Sequence, residues 1–229
     1  MAPAQRMMIF AGVMSAALAA LAPAQAEAGP WPDEFLTRLE ALALVQTLNA
    51  ELLASRSATL TLEKWCGEHR LAGAGEAKII ARLIRGEAKP ASAEQRQRLE
   101  VGPDEQLKYR RVQLLCGNNV LSEADNWYVP SRLSAEMNRV LETTDTPFGK
   151  AVLELKPYRQ TFAVNVLWWP LAQGWENQPM AALAKGDAMV IPDALFEHRA
   201  VLYANSRQPF AEVHEVYQRQ LLAFPLPRP

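Results

Sequence analysis

The sequence predicts a single α+β domain built around an antiparallel sheet of about six strands, with helices covering one face. Two observations support this prediction. Segments that alternate between apolar and polar residues follow one another across short turns, and segments with helical spacing stand apart from them. The composition, 49% hydrophobic and 21% charged over 229 residues, is that of an ordinary globular protein.

The first 26 residues are predicted to be a signal peptide, which leaves residues 27–229 for the domain. Arg6 precedes an apolar segment over residues 7–21, and residues 24–26 and 26–28 both match the small-x-small cleavage rule. We therefore expect a periplasmic or secreted protein, cleaved after Ala26 or Ala28. The alternative is an uncleaved membrane anchor. A helix that spans a bilayer needs ~20 apolar residues, and the segment over residues 7–21 is shorter than that. No later segment is long enough, so we expect no membrane span after cleavage.

The first half of the mature chain is predicted to contain helices and one strand. Asp33 is expected to cap a helix that ends near Ala54. A short helix is predicted over residues 61–68 and a strand over residues 78–84. Ser92 and Gln95 form a capping-box signature, which predicts a helical turn before residue 101.

A β-hairpin is predicted in the middle of the chain, around Gly117. Residues 111–116 form one strand and residues 127–130 belong to the next, and Gly117-Asn118-Asn119 tolerates the positive φ of a tight turn. Period-two alternation places residues 112, 114 and 116 on one face and residues 109, 111, 113 and 115 on the other.

The second half is predicted to supply two helices and three more strands. Ser134 caps one helix, and Pro147 occupies the first turn of another that ends near residue 155. Strands are predicted over residues 160–167, 199–204 and 210–217, the last two joined by a hairpin loop. Residues 172–192, rich in Gly, Pro and Gln, are interpreted as an inserted loop or flap.

Two side chains are candidates for chemistry on this sheet. Arg111, between a tyrosine and a glutamine, could hold a carboxylate in bidentate fashion, although a solvated arginine or a structural ion pair is the simpler interpretation. Glu215 shares one face of its strand with Val213 and Tyr217, where a carboxylate is unusual, unless the strand lies at an edge in water. We expect Arg111 and Glu215 on the same face, close enough to contact one ligand.

Several motifs, in order, resemble the chorismate pyruvate-lyase family. The run from Arg111 to Cys116 is similar to its R-x-x-L-L-C strand, and Val129-Pro130 follows at the family's spacing. Residues 146–150 are similar to T-P-L-G-R, and residues 208–209 and 214–217 to a K-P turn and a T-E-L-F strand. The resemblance extends over roughly residues 52–222 and implies the chorismate-lyase fold, which the UTRA domains of transcription factors share.

The resemblance implies a reaction that needs no metal and no cofactor. Chorismate would lose its enolpyruvyl side chain as pyruvate and become 4-hydroxybenzoate. Arg111 would bind a ligand carboxylate, and a protonated Glu215 would act as general acid, with Glu212 as the fallback if no residue is inserted after Pro209. The helix start at Phe148 and Gly149 matches the family's backbone contact to an anion.

Two departures from the family keep a second interpretation open. Asn126 stands where the family has an arginine, and an exported protein would rarely meet chorismate, which is made in the cytoplasm. The alternative is an exported, non-catalytic module that binds a small aromatic or other carboxylic acid. A third possibility is an envelope interaction protein with a vestigial pocket.

The remaining composition limits the partners and leaves the cysteines ambiguous. A net charge of −1 and the lack of a preceding helix-turn-helix argue against nucleic acid, and we expect a monomer with a small carboxylate-bearing ligand. The two cysteines and three histidines show no metal-ligand spacing. Cys66 and Cys116 could form a disulfide after export, or Cys116 could be a buried thiol.

Overall fold

The computed structural model describes residues 31–86, 88–179 and 188–226, and shows the predicted α+β architecture. The described helices are α1 Phe35–Ala54, α2 Ala58–Glu68, α3 Ala93–Arg98, α4 Ala135–Thr143 and α5 Phe148–Ala151. The strands are β1 Ile79–Ile84, β2 Lys108–Cys116, β3 Asn119–Tyr128, β4 Tyr158–Val166, β5 Ala194–Tyr203 and β6 Pro209–Gln218. The predicted cleavage sites and residues 180–187 of the predicted insertion lie outside the described residues.

The six strands form one antiparallel sheet in the order β1-β2-β3-β6-β5-β4. The hairpin between β2 and β3 turns at Gly117, whose φ of 56° requires the left-handed region that glycine adopts without strain. A β-bulge between Thr161 and Ala163 interrupts β4, which is an outer strand of the sheet. The extra residue at the bulge shifts the alternation by one, so each residue after it points to the face opposite the one that a regular strand predicts.

The two faces of the sheet are covered differently. Val112, Ala124 and Glu215 are consecutive cross-strand neighbours on the face that α1, α2, α4 and α5 cover, which we call the helix-covered face. Arg111 and Asp125 lie on the opposite face, which carries the short helix α3 and the segment around it. Most helices therefore cover one face, as predicted, and α3 is the addition.

Apolar packing fills the helix-covered face in two clusters. The larger joins α1 and α2 to β2, β3, β5 and β6, and the smaller joins α4 and α5 to the other ends of β3, β5 and β6. Burial of this apolar surface is the main stabilising term for the fold. The gap between the clusters is the place where polar side chains reach the sheet surface.

Helix starts follow local capping chemistry, with one correction. Ser92 and Gln95 form the predicted capping box of α3, and the Ser134 side chain accepts the Met137 N–H at the start of α4. Asp33 does not cap α1; its carboxylate pairs instead with Arg38, one turn into the helix. Helix α5 is only four residues long, and a separate 3₁₀ turn continues to residue 155.

A disulfide joins Cys66 in α2 to Cys116 at the end of β2. Both residues are fully buried in the larger apolar cluster. Of the two states that the sequence allowed for Cys116, the structure contains the disulfide. The bond fixes α2 against the central hairpin.

No helix within the described ranges is long and apolar enough to cross a membrane.

Candidate functional site

A cavity of about 430 Å³ lies on the helix-covered face, between the sheet, the start of α2 and α5. Its sheet floor comes from five strands, β2 to β6, and is largely apolar. The first turn of α2 and the residues preceding it form one wall, and α5 with the chain up to Pro157 forms another. The polar or charged residues in the lining are Arg56, Ser57, Thr59, Asn126, Lys156, Arg159 and Glu215.

An ion pair between Arg159 and Glu215 forms the polar part of the floor. Nη1 of Arg159 lies 2.5 Å from Oε2 of Glu215, and the two side chains are only 3% and 9% exposed. The Tyr217 hydroxyl donates to the same Glu215 oxygen at 3.1 Å. Burial alone would lower the pKa of Arg159, but Glu215 and Tyr217 outweigh it and the pKa is raised. Arg159 therefore remains a cation inside the fold.

One nitrogen of Arg159 is left without a partner. Its buried Nη2 makes no hydrogen bond with any residue in the described ranges. Buried donors in folded proteins are nearly always satisfied, and an unsatisfied one costs about 1–3 kcal/mol. Arg159 lines the cavity, but this nitrogen itself is buried.

A neutral histidine lies beside this ion pair. His198 is the cross-strand neighbour of Glu215, and its Nε2 lies 2.7 Å from Oδ1 of Asn49 in α1. Burial, and secondarily the positive charge of Arg159, lowers the pKa of His198 to about 4. His198 is therefore uncharged at neutral pH, and its Nε2 carries the proton donated to Asn49.

The lining of the cavity carries more cations than carboxylates. The titratable groups of the lining are three cations, Arg56, Lys156 and Arg159, and one carboxylate, Glu215. Lys156 has φ 48°, a left-handed conformation that side chains other than glycine rarely adopt, immediately before Pro157. Such strain often accompanies functional sites because the surrounding structure must maintain it.

Four of the residues that the sequence singled out meet in this cavity. Asn126, Phe148, Gly149 and Glu215 all line it. Asn126 is almost fully buried, and its Nδ2 donates to the carbonyls of Arg110 and Ala124. Glu215 stands between Val213 and Tyr217, as the alternation of β6 predicted.

Arg111 does not lie with them, and the prediction that it shares a face with Glu215 is wrong. Its Nη2 contacts Glu123 at 3.2 Å and its Nε lies 3.9 Å from Asp125, both on the opposite face. The prediction assumed that the more polar side of β2, which carries Arg111, and the side of β6 that carries Glu215 belong to the same face of the sheet. In β6 both faces are largely buried, so polarity did not identify the face there.

Glu215 meets two donors of the fold, and its role as general acid stays a prediction. Its Oε2 pairs with Nη1 of Arg159 and accepts from the Tyr217 hydroxyl. The fallback, Glu212, lies on the opposite face, where it pairs with Arg98 and accepts from Gln95. Glu215 is thus the carboxylate at the cavity.

Metal ligation finds no support in the described part of the chain, which holds no cluster of three or more His, Cys, Asp or Glu side chains arranged to bind an ion. The three histidines have different partners: His69 contacts the Trp65 carbonyl, His198 contacts Asn49 and His214 contacts Glu197.

A curated protein is similar to most of this chain. It is an uncharacterized protein of Sinorhizobium fredii, y4mC, with 49% identity over 197 residues that cover 86% of this chain and 83% of y4mC. The chain belongs to the same family as y4mC. The name y4mC carries no activity, so the function of this family must be inferred from the cavity. No protein-family model matches the chain.

Solved structures with weak similarity to this chain come from transcriptional regulators. They include YydK of Bacillus subtilis, described as a possible transcriptional regulator, at 15% identity and a TM-score of 0.39 over 66% of this chain and 62% of YydK. The effector domain of PhnF from Mycobacterium smegmatis matches at 13% identity and a TM-score of 0.42, over 62% of this chain and 82% of that domain. At such TM-scores these similarities carry no argument about the y4mC family.

Sequence reasoning missed three of the charged residues that line the cavity. Arg159 was left out because the strand was predicted from residue 160, whereas β4 begins at Tyr158. Extending the alternation by two residues would have found it, although the bulge obscures which face it occupies. Arg56 and Lys156 lie in connecting segments without periodicity, and no sequence signal separates them from ordinary surface cations.

Proposed function

We propose that the cavity binds a small carboxylate-bearing molecule with an apolar body. The observation that carries this proposal is a buried cation, Arg159, in the lining of a largely apolar cavity. A ligand carboxylate would accept from its guanidinium in a charge-assisted hydrogen bond, which is among the stronger polar contacts in proteins.

Charge and size support an anionic ligand of modest dimensions. Three cations and one carboxylate in the lining favour a negatively charged molecule. A volume of about 430 Å³ falls in the lower part of the range for small-molecule sites, which is roughly 300–1,000 Å³. Val112, Leu114 and Val213 on the floor provide apolar surface for a ring or an alkyl body.

Calorimetric titration with benzoate tests the proposal. Arg159→Met should weaken benzoate binding by about tenfold or more, the effect of losing one charge-assisted hydrogen bond. Because that variant strands a buried carboxylate, the double variant Arg159→Met/Glu215→Leu should be titrated beside it, since it removes both charges together. Lys78→Gln, an exposed residue outside the lining, is the control. Equal affinity in all four proteins would rule out the proposed binding mode.

A second candidate is the elimination of pyruvate from chorismate to give 4-hydroxybenzoate. It is favoured by one observation, that Phe148, Gly149 and Glu215, all taken from the resemblance to chorismate pyruvate-lyases, line the same cavity. Glu215, which pairs with Arg159 in the cavity floor, would then contact the substrate. The appearance of 4-hydroxybenzoate absorbance on mixing with chorismate, and its loss in Glu215→Gln, would establish the activity. An absence of product over hours would leave binding without turnover.

We propose further that the protein is exported and works in the periplasm or outside the cell. The Cys66–Cys116 disulfide supports this proposal, because such bonds persist mainly in oxidising compartments. Mass spectrometry of protein recovered from the cell envelope should find an N-terminus just after Ala26 or Ala28. An intact Met1 in the cytosolic fraction would overturn it.

A further inference from the structure

We infer that the apolar body of the ligand is an unbranched alkyl chain, so that the cavity binds medium-chain fatty acids. This inference rests on the proposed function, because it identifies the kind of molecule whose carboxylate meets Arg159. The chain extends from the floor of the cavity between its two walls, and its far end lies against Leu60 and Leu153.

The apolar side chains of the lining are almost all aliphatic. Phe148 is the single aromatic residue among the described residues of the lining, and its buried ring already packs against Tyr128 and Phe210. A bound aromatic ring would gain most from stacked or edge-to-face contacts with rings of the protein. The lining instead presents aliphatic side chains, which include Val112, Leu114, Ala124, Val152, Leu202 and Val213. Their contacts are non-directional, and they suit a flexible chain of methylene groups.

Each of the two walls of the cavity carries an exposed leucine. Leu60, near the start of α2, is 51% exposed, and Leu153, in the 3₁₀ turn that follows α5, is 58% exposed. Both belong to the lining. A single exposed leucine is ordinary on a protein surface, but two of them on the walls of one cavity extend its apolar surface towards solvent. An alkyl chain that leaves the floor would remove this surface from water.

The polar side chains of the floor determine which end of the molecule lies inside. Arg159 on β4 is only 3% exposed, and it offers a charge-assisted contact to a carboxylate. Asn126, the other buried nitrogen donor of the floor, directs its Nδ2 to the carbonyls of Arg110 and Ala124. The charged head of the ligand therefore lies at Arg159, and its uncharged body lies along the aliphatic lining.

Charge and volume agree with a fatty acid of medium length. The lining holds three cations and one carboxylate, so the single negative charge of a fatty acid still leaves an excess of positive charge. A cavity of about 430 Å³ lies in the lower part of the range for small-molecule sites, which is roughly 300–1,000 Å³. This volume favours a medium chain over the longer chains of membrane lipids.

Calorimetry with a homologous series tests the inference. We would titrate the protein with butyrate, hexanoate, octanoate and benzoate, each below the concentration at which it forms micelles. Each added methylene should tighten binding by up to about fourfold, the effect of burying one CH₂ group. Octanoate should therefore bind at least about tenfold more tightly than butyrate, and more tightly than benzoate. The heat-capacity change of binding should become more negative along the series, because more apolar surface is buried.

Two matched variants test where the end of the chain lies. Leu60→Gln/Leu153→Gln should weaken octanoate binding by about threefold or more and change butyrate binding by less than about twofold, because only the longer chain reaches these side chains. Leu36→Gln/Leu53→Gln, an equal change at exposed leucines of α1 outside the lining, should bind octanoate as the parent protein does.

The possible outcomes separate this inference from the proposed function. Binding of benzoate with no gain in affinity from butyrate to octanoate would overturn the inference and leave the proposed function standing. An equal octanoate affinity in the two double variants would also overturn it, since the chain would then not reach Leu60 and Leu153. If none of the four carboxylates binds, the inference and the proposed function are both wrong.

Discussion

The behaviour of individual residues here depends on which face of a strand they occupy. Arg111 and Arg159 are both strand arginines with carboxylate partners, but only Arg159 is buried on the helix-covered face. Desolvation makes its charge a strong influence on any group in the cavity, whereas the charge of Arg111 is partly screened by water. Position relative to the core, rather than residue type, distinguishes Arg159, the residue proposed to bind the ligand.

At Arg111, substitution by alanine should leave ligand binding unaffected. The side chain lies on the opposite face, 28% exposed and paired with Glu123, so its loss should change benzoate affinity by less than about twofold. The free energy of unfolding should fall by about 0–1 kcal/mol, as for other partly exposed ion pairs. Calorimetry and urea unfolding of Arg111→Ala measure both quantities. A large loss of affinity would place Arg111 at the site after all.

The neutral state of His198 should make the protein less stable in mild acid. Its pKa is about 4 in the fold and about 6.5 in an unfolded chain, so between these values the unfolded state binds a proton that the folded state excludes. Stability should therefore decline as the pH falls from about 6.5 to 4, by up to about 3 kcal/mol from this residue.

The variant His198→Gln isolates this contribution. A glutamine can still donate from its amide to Asn49, but it does not titrate. Urea unfolding at pH 7 and pH 4.5 should therefore show a smaller loss of stability for the variant than for the parent protein. An identical loss in both would assign the acid sensitivity to other groups.

At the scale of elements, the cavity depends on how closely α5 approaches the start of α2. Gly149 makes this approach possible, because a Cβ built there would lie 3.2 Å from the Thr59 hydroxyl and 3.3 Å from the Ser57 hydroxyl. Both distances are shorter than ordinary van der Waals contact. An added Cβ therefore requires the Thr59 and Ser57 side chains to shift by a few tenths of an ångström.

Replacing Gly149 by alanine should therefore destabilise the protein by about 1 kcal/mol, the lower end of the range for overpacking. It should also weaken benzoate binding, because it displaces the Ser57 and Thr59 side chains that line the cavity. Gly102→Ala is the matched control, since nothing lies within 4 Å of the added Cβ. Urea midpoints of the two variants provide the comparison, and equal midpoints would show that the contact is not tight.

The sequence predicted most elements because their signals are local. Capping at Ser92 and Ser134, the turn at Gly117 and the alternation of β2 and β6 are all determined within a few residues. Local signals did not predict three features: the bulge in β4, the short length of α5 and the cavity-lining cations in the connecting segments. Each depends on contacts with distant parts of the chain, and together they determine much of the cavity.

At the scale of the whole molecule, one covalent bond unites the two structural halves of the site. The disulfide closes a loop of 50 residues between α2, whose first turn forms part of one wall, and β2, which provides part of the floor. The variant Cys66→Ala/Cys116→Ala should lose about 4 kcal/mol of stability if loop entropy governs the effect. Urea unfolding of oxidised protein and variant measures it. A difference below about 1 kcal/mol would show that packing alone holds α2.

The burial of this bond also sets an order of events during maturation. Both cysteines are completely enclosed in the finished fold, so no oxidant or disulfide-exchange enzyme can reach them there. Oxidation must therefore occur while α2 is still undocked from the hairpin, before the core closes over the sulfur atoms. A chain that completed its core first would trap two thiols, and only transient local unfolding would give the oxidising machinery another opportunity.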